Sequence, residues 1–329
     1  MNALPWIVTA LGLGAAFAWG GFPALAIATL LGIMEISLSF DNAVVNATVL
    51  RRMDPKWQQR FLTWGILIAV FGMRLIFPVV IVAVAAGLGV VEVARLAVNE
   101  PATYSAHLKA AHIGIAAFGG MFLLMVFLHF VCDEAKDVHW LGWVERRLVK
   151  AGRLESVEVA ASLAVLLLIQ FWLPESDRLT AMIAGVSGVA CFVAVKGLAG
   201  MAGEADAAGI AARSGAAGFV YLEVLDASFS LDGVIGAFAM TTDVVVIMIG
   251  LAIGAMFVRS MTVHLVRKGT LDEFVYLEHG AHWGIGALGA IMLAGMWVEV
   301  PEIVTGLVGV SLIVLSLLSS VLHKRRARA

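Results

Sequence analysis

Apolar positions along this chain come in unbroken blocks rather than as one stripe of an amphipathic helix. Most blocks run to about twenty residues, enough for an α-helix to cross a hydrocarbon layer of ~30 Å. The pattern predicts ten spans, over 4–20, 22–50, 60–88, 110–131, 157–173, 179–199, 216–241, 243–266, 274–296 and 302–322. The breaks between them carry turn and helix-stop residues: Gly20-Gly21, Asp54-Pro55, Pro174 and Pro301. The stretch 90–109, with Glu92, Arg95 and Glu100, reads as an outer amphipathic segment or loop. The expected fold is therefore all-α, a polytopic transmembrane helix bundle.

Composition closes off the alternative of a single soluble domain. Hydrophobic residues make up 61% of the 329 positions, charged residues only 14%, and the mean hydropathy is +0.96. That leaves too little polar surface to cover a water-soluble core. The net charge of −2 argues against a nucleic-acid partner. Cys132 and Cys191 stand far apart, so neither a disulfide framework nor a metal–thiolate motif is expected. The N-terminus lacks the basic region of a secretory signal, and its first apolar block is expected to be a retained helix.

Positive charge fixes the orientation. With the N-terminus inside, the inner loops hold 17 of the 22 lysines and arginines, including Arg51, Arg52, Lys136, Arg146, Arg147 and Lys324. The outer loops hold three, Arg95, Lys109 and Arg178, and Arg74 and Arg259 fall within spans. This bias places both termini in the cytoplasm and supports an even number of spans.

Two segments repeat. Ser37-Leu38-Ser39-Phe40-Asp41-Asn42 aligns with Ser228-Phe229-Ser230-Leu231-Asp232-Gly233, and an acid, Glu35 or Asp226, stands six residues before each aspartate. Downstream, Ala111-His112-Ile113-Gly114-Ile115 aligns with Ala281-His282-Trp283-Gly284-Ile285. Five predicted spans separate the members of each pair. An odd offset reverses orientation, so 1–173 and 174–329 read as inverted five-span repeats forming one integral membrane domain. Secondary transporters are built this way, with the ligand site at the repeat interface.

The chemistry lies in buried charge. An ionised carboxylate at the bilayer centre costs on the order of 3 kcal/mol and needs a cation, a proton or a basic partner. Glu35, Asp41, Glu223, Asp226 and Asp232 all fall within spans. On a regular helix Glu35, Ser39, Asn42 and Asn46 share one face, and so do Glu223, Asp226 and Ser230. Asp41 and Asp232 lie off those faces and join them only if the helix unwinds near Ser39 or Gly233. The candidate metal ligands are Glu35, Asp41, Asn42, Asp226 and Asp232, with Asn46, Glu223, His112, Glu278 and His282 as additional candidates. Arg74 and Arg259 are expected to be charge partners. Oxygen donors without thiolate suit Mn²⁺, Mg²⁺ or Ca²⁺, and a histidine nitrogen shifts the preference to Mn²⁺. Structural ion pairs and proton relays are the competing roles for the acids. Glu278 and His282, four residues apart, form with His112 a candidate proton path for counter-transport. Hydrogen bonding between helices is the bland alternative, as a solvated cytoplasmic loop is for 132–139.

The spaced acids resemble the acidic motif of the TerC family, integral membrane proteins named for tellurium resistance and grouped with LysE-type exporters. Glu35, Asp41 and Asn42 match the first motif, and Asp226 and Asp232 the second, with Gly233 where the first motif has Asn42. The run Glu278-His279-Gly280-Ala281-His282-Trp283 is similar to a bacterial branch of that family. The resemblance implies export of a metal ion, chiefly Mn²⁺, across the bacterial inner membrane, with the intramembrane acids as the ion site and no tightly bound cofactor. Export of a cationic amino acid and a non-transporting scaffold are the alternatives. His-Glu-x-x-His, Gly-x-Ser-x-Gly and nucleotide-binding loops are all missing from the sequence, so an enzyme is not expected.

Overall fold

A computed structural model describes residues 4–51, 53–134, 136–152, 156–200, 215–268, 273–298 and 300–326. Within helices a few side chains, Asp232, Arg267 and Lys268 among them, fall outside the described part. Of the inner-loop cations, Arg52, Arg153, Arg213 and Arg328 also lie outside it.

The described residues form helices joined by short turns, with no strand among them. In chain order they are α1 (Leu4–Leu38), α2 (Phe40–Leu50), α3 (Pro55–Leu67), a π-helical segment (Ile68–Ile76), α4 (Phe77–Ala86), α5 (Val90–Asn99), α6 (Pro101–Ala110) and α7 (His112–Cys132). Then follow α8 (Gly142–Gly152), α9 (Val157–Ile169) with a 3₁₀ turn (Gln170–Trp172), α10 (Glu175–Gly200), α11 (Gly215–Met240), α12 (Val244–Lys268), α13 (Leu277–Ala294) and α14 (Glu302–Arg326). Among the described residues, six helical segments are long and apolar enough to cross a membrane: Pro5–Leu38, Pro55–Ala86, His112–Cys132, Glu175–Gly197, Val244–Val266 and Val304–Arg326. The molecule is thus a multi-pass membrane helix bundle. Val157–Trp172 is apolar but shorter.

Local chemistry explains the breaks. Gly21 has φ +66° and ψ −153°, a conformation open to glycine and costly for other residues, and it divides α1 before Pro23. Asp54 accepts the Lys56 N–H at 2.8 Å as an N-cap, with Pro55 on the first helical turn. At Ser39 the chain bends (φ −104°, ψ 16°) while the flanking ladder bonds survive, Ser39 N–H to Glu35 O at 3.0 Å and Ala43 N–H to Ser39 O at 3.1 Å. The expected span 22–50 is therefore divided at Ser39 between α1 and α2. The expected outer segment 90–109 is a pair of short helices, α5 and α6.

Two antiparallel helices, α7 and α13, pack at the centre. Cβ atoms built on Gly120 and Gly289 would stand 3.1 and 3.2 Å from each other's carbonyl oxygens, so two backbones touch where side chains would hold them apart. Val44, Met121, Phe122, Leu225, Ile285 and Met292 form the buried core around this pair. A second core, with Leu31, Val82, Tyr104, Leu108 and Phe238, lies under α5 and α6. One end of the bundle carries the ion pairs Arg51 with Glu278 (3.7 Å) and Lys324 with Glu273 (3.1 Å). At the other, Trp19 donates to Asp243 (3.0 Å), and the Trp172 and Trp297 rings lie 5.8 Å apart.

Candidate functional site

The two acidic motifs meet where α1–α2 crosses α11. Asn42 Nδ2 donates to Asp226 Oδ1 at 2.7 Å. Seven residues back on one strand and seven forward on the other, a Cβ on Gly233 would stand 2.9 Å from Glu35 Oε2. One partner's number falls as the other's rises, so the helices run antiparallel. This register sets the oxygen-bearing face of Glu35, Ser39, Asn42 and Asn46 against the face of Glu223, Asp226 and Ser230, and brings Asn46 level with Glu223.

Each motif is held by one arginine. Arg74 pairs with Glu35, and also donates to the carbonyl of Ala69, a contact made inside the π-helical segment. A π-helix widens the turn and is found mostly where function needs a side chain re-aimed. Ser39 Oγ donates to the same Glu35 Oε1 at 3.0 Å. In the other half, Arg259 donates to Asp226 Oδ2 (3.3 Å), to Glu223 Oε1 (3.5 Å) and to the Gly65 carbonyl (3.2 Å). Its guanidinium lies over the Phe61 ring, 3.9 Å from the centroid. Arg74 and Arg259 are thus each ion-paired with acids of one motif.

The arginines do not balance the acids. Glu35, Asp41, Glu223 and Asp226 are all buried, as are Arg74 and Arg259, which leaves four carboxylates against two cations among the described residues. Several polar atoms of this crossing are buried with no hydrogen-bond partner: Asn42 Oδ1, both amide atoms of Asn46, Glu223 Oε2 and Ser230 Oγ. Such atoms ordinarily find partners, since each orphan costs ~1–3 kcal/mol.

Asp41 points elsewhere. The chain bends at Ser39, yet Asp41 does not join the face of Glu35. Its Oδ2 packs against Gly284 of α13 and Gly309 of α14, 3.2 and 3.5 Å from Cβ atoms built there, and its Oδ1 accepts the Asn42 N–H (2.9 Å). Asp232 sits in α11, whose helix continues through Gly233 without a break, and its side chain lies outside the described part. Among the described residues no group of three or more His, Cys, Asp or Glu side chains is placed to hold a metal ion. Of the expected ligands, Glu35 is held by Arg74 and Asp226 by Arg259, while Asp41 faces α13 and α14.

A family model described as "Protein of unknown function (DUF475)" matches residues 40–327, which include Asp41, Asn42 and the whole second motif but not Glu35. The chain belongs to the DUF475 family. No curated protein and no solved structure matches it.

In this DUF475 protein His112 and His282 lie apart from one another. His112 opens α7, level with Gly295 past the far end of α13. His282 is thirteen residues from Gly295, ~20 Å along a helix. Its ring stacks on Phe130 at 3.7 Å, and its Nδ1 lies 2.8 Å from the Glu278 carbonyl. The structure does not bring Glu278, His282 and His112 together as one path.

The 132–139 segment, expected from its polarity to be a solvated loop, exposes Glu134 and Asp137 but is pinned at Lys136 and Val138. Lys136 is mostly buried, donating to the Phe130 carbonyl (3.2 Å) and pairing with Glu145 of α8 (3.6 Å). Glu145 is fully buried. It accepts from Trp283 Nε1 (3.1 Å) and the Leu141 N–H (3.3 Å), and lies 3.6 Å from His279, whose Nε2 donates to the Val138 carbonyl (2.8 Å). Burial alone would raise the Glu145 carboxyl, but Trp283, Lys136 and His279 outweigh it and hold the group below its ordinary 4.5. Burial pushes the Lys136 ammonium down despite the carboxylate beside it. Sequence reasoning missed this cluster, although His279 and Trp283 stand at i, i+4 and Glu145 lies on an amphipathic helix.

Proposed function

We propose that this protein is a secondary transporter that exports a divalent metal cation, Mn²⁺ ahead of Ca²⁺ and Mg²⁺, across the bacterial inner membrane. The observation that carries the reading is the crossing of the two motif helices, where three buried carboxylates, Glu35, Glu223 and Asp226, face only two arginines, with the buried Asp41 beside them on α2. The excess negative charge has to be met by a cation or by protons. Asn42, Asn46, Ser230 and Glu223 offer unpartnered oxygens beside Asp226, a hard donor set suited to these ions. A cation entering there would take over the hold of Arg259 on Asp226 and Glu223, and proton exchange at the acids would drive its release. Asp232 joins this set on its sequence position alone.

The same crossing supports ten spans in two inverted halves. Moving any residue of the first motif by its alignment offset turns the pair Asn42–Asp226 into Gly233–Glu35, the second pair in contact. A two-fold axis in the membrane plane relates antiparallel helices in this way, and α7 with α13 repeats the relation. With the termini cytoplasmic, the ion-paired end of the bundle faces inward and the Trp19, Trp172 and Trp297 end outward, as an interfacial aromatic belt would. The resemblance of the acidic motifs to the TerC family points to the same cargo.

Equilibrium binding of Mn²⁺ to the purified protein tests the cargo, with Ca²⁺, Mg²⁺ and lysine as competitors. The expected result is saturable binding, displaced by Ca²⁺ or Mg²⁺ and lost in Glu223→Gln and Asp226→Asn. Displacement by lysine alone would replace the metal with a cationic amino acid.

A further inference from the structure

The two halves of the crossing are related but not identical, and the difference is one of length. Where the first strand carries Asn42 the second carries Gly233, and where the second carries Asp226 the first carries Glu35. The carboxamide of Asn42 spans the gap to the shorter acid, at 2.7 Å. Opposite the longer acid there is no side chain, and a Cβ at Gly233 would already stand 2.9 Å from Glu35 Oε2. Gly233 lies within the continuous helix α11 and is not among the glycines with positive φ, so backbone conformation does not call for glycine there. The Glu35 carboxylate cannot simply swing aside, because Arg74 and Ser39 hold it, and a Cβ at Gly254 of α12 would stand 2.4 Å from its stem.

We infer that Gly233 is a positioning residue of the carboxylate site, length-matched to Glu35 as Asn42 is to Asp226. This rests on the reading that these carboxylates form the transport site. The match leaves the two acids in different situations. Asp226 is tied across the helix crossing by an amide donor from α2. Glu35 is held by Ser39 of its own strand and by Arg74, and against Gly233 it has contact without a bond. The two ends of the crossing are therefore not equivalent: sliding α11 along α2 breaks a hydrogen bond at Asp226 and none at Gly233.

A double-mutant cycle tests the match in the purified full-length protein, read both by thermal unfolding and by Mn²⁺ flux in proteoliposomes. Gly233→Asn should push Glu35 off Arg74 and lower the unfolding midpoint by about 3–6 °C. Glu35→Asp should weaken the same pair. Combined, the two substitutions recreate the Asn–Asp pairing of the other half, and should regain more than half of the summed loss in midpoint. Flux should fall by roughly tenfold in Gly233→Asn and recover in the double variant. Additive losses of stability would overturn the inference. If Gly233→Asn does not fold, the converse cycle, Asn42→Gly with Asp226→Glu, makes the same prediction, and additivity there overturns it equally. A coupled stability cycle in a protein that carries no Mn²⁺ would sustain the length match and defeat the transport reading instead.

Discussion

Each buried acid at the crossing is tolerable because of a particular neighbour. Arg74 holds Glu35, and Arg259 is shared between Asp226 and Glu223. Removing one member of such a pair strands the other as an uncompensated charge, at a cost of ~3–5 kcal/mol. Arg74→Met should therefore lower stability by that order, and adding Glu35→Gln should recover most of it, measured as the unfolding midpoint in detergent. The acids and arginines were legible in the sequence, since charge in an apolar block stands out at once. Their shape partners were not. Gly233, Gly254, Gly284 and Gly309 are ordinary letters in a membrane helix, and only the structure sets them against Glu35 and Asp41. The aim of Asp41 was equally hidden, because it depends on the bend at Ser39 and on where α13 and α14 pack.

At the scale of elements, helix positions followed the apolar blocks and their glycine and proline breaks, while distortions within a block left no such mark. The bend at Ser39 falls in the polar run of the first motif, whereas the π-helical segment around Arg74 has no counterpart in the sequence reading. The close approach of α7 and α13 depends on Gly120 and Gly289. Leucine at Gly289 should force the helices apart and cost about 2–3 kcal/mol, seen as a lower unfolding midpoint. The cluster joining α8 and the 133–141 segment to α13 makes a pH prediction. Glu145 titrates below its unfolded value, so its contribution to stability is fully present above about 4.5 and is lost as pH falls through the lower, folded value. Limited proteolysis of the 133–141 segment should accelerate across that acid window in the wild type. In Glu145→Gln it should already be fast at neutral pH and change little with acid. An unaltered neutral rate in the variant would show that the carboxylate does not pin the segment. Polarity alone read this segment as solvated, since two partners of Glu145, His279 and Trp283, lie far on in the chain.

At the scale of the molecule, a membrane bundle follows from composition and block length together, and among the described residues six helices meet both criteria. The remaining predicted spans are those whose sequence carries the polar site or a shorter apolar run. Helix α11 includes Glu223, Asp226 and Asp232, so the residues that make it interesting also blunt its hydropathy. The ten-span orientation is testable with single cysteines introduced after Cys132 and Cys191 are replaced. A cysteine at Thr242, between α11 and α12, should react with an impermeant reagent on intact cells, and one at Lys324 only after the membrane is opened. The reverse pattern would invert the account.

The central claim is that the paired acids carry a metal ion across the bilayer. Its most direct test is Mn²⁺ uptake into proteoliposomes containing the purified protein, compared with Asp226→Asn and Asp232→Asn. The account predicts saturable uptake that both substitutions abolish while the protein stays folded and inserted. Saturable uptake that survives both substitutions, or no flux of any cation in well-folded wild type, would contradict it and reduce the acids to buried ion pairs.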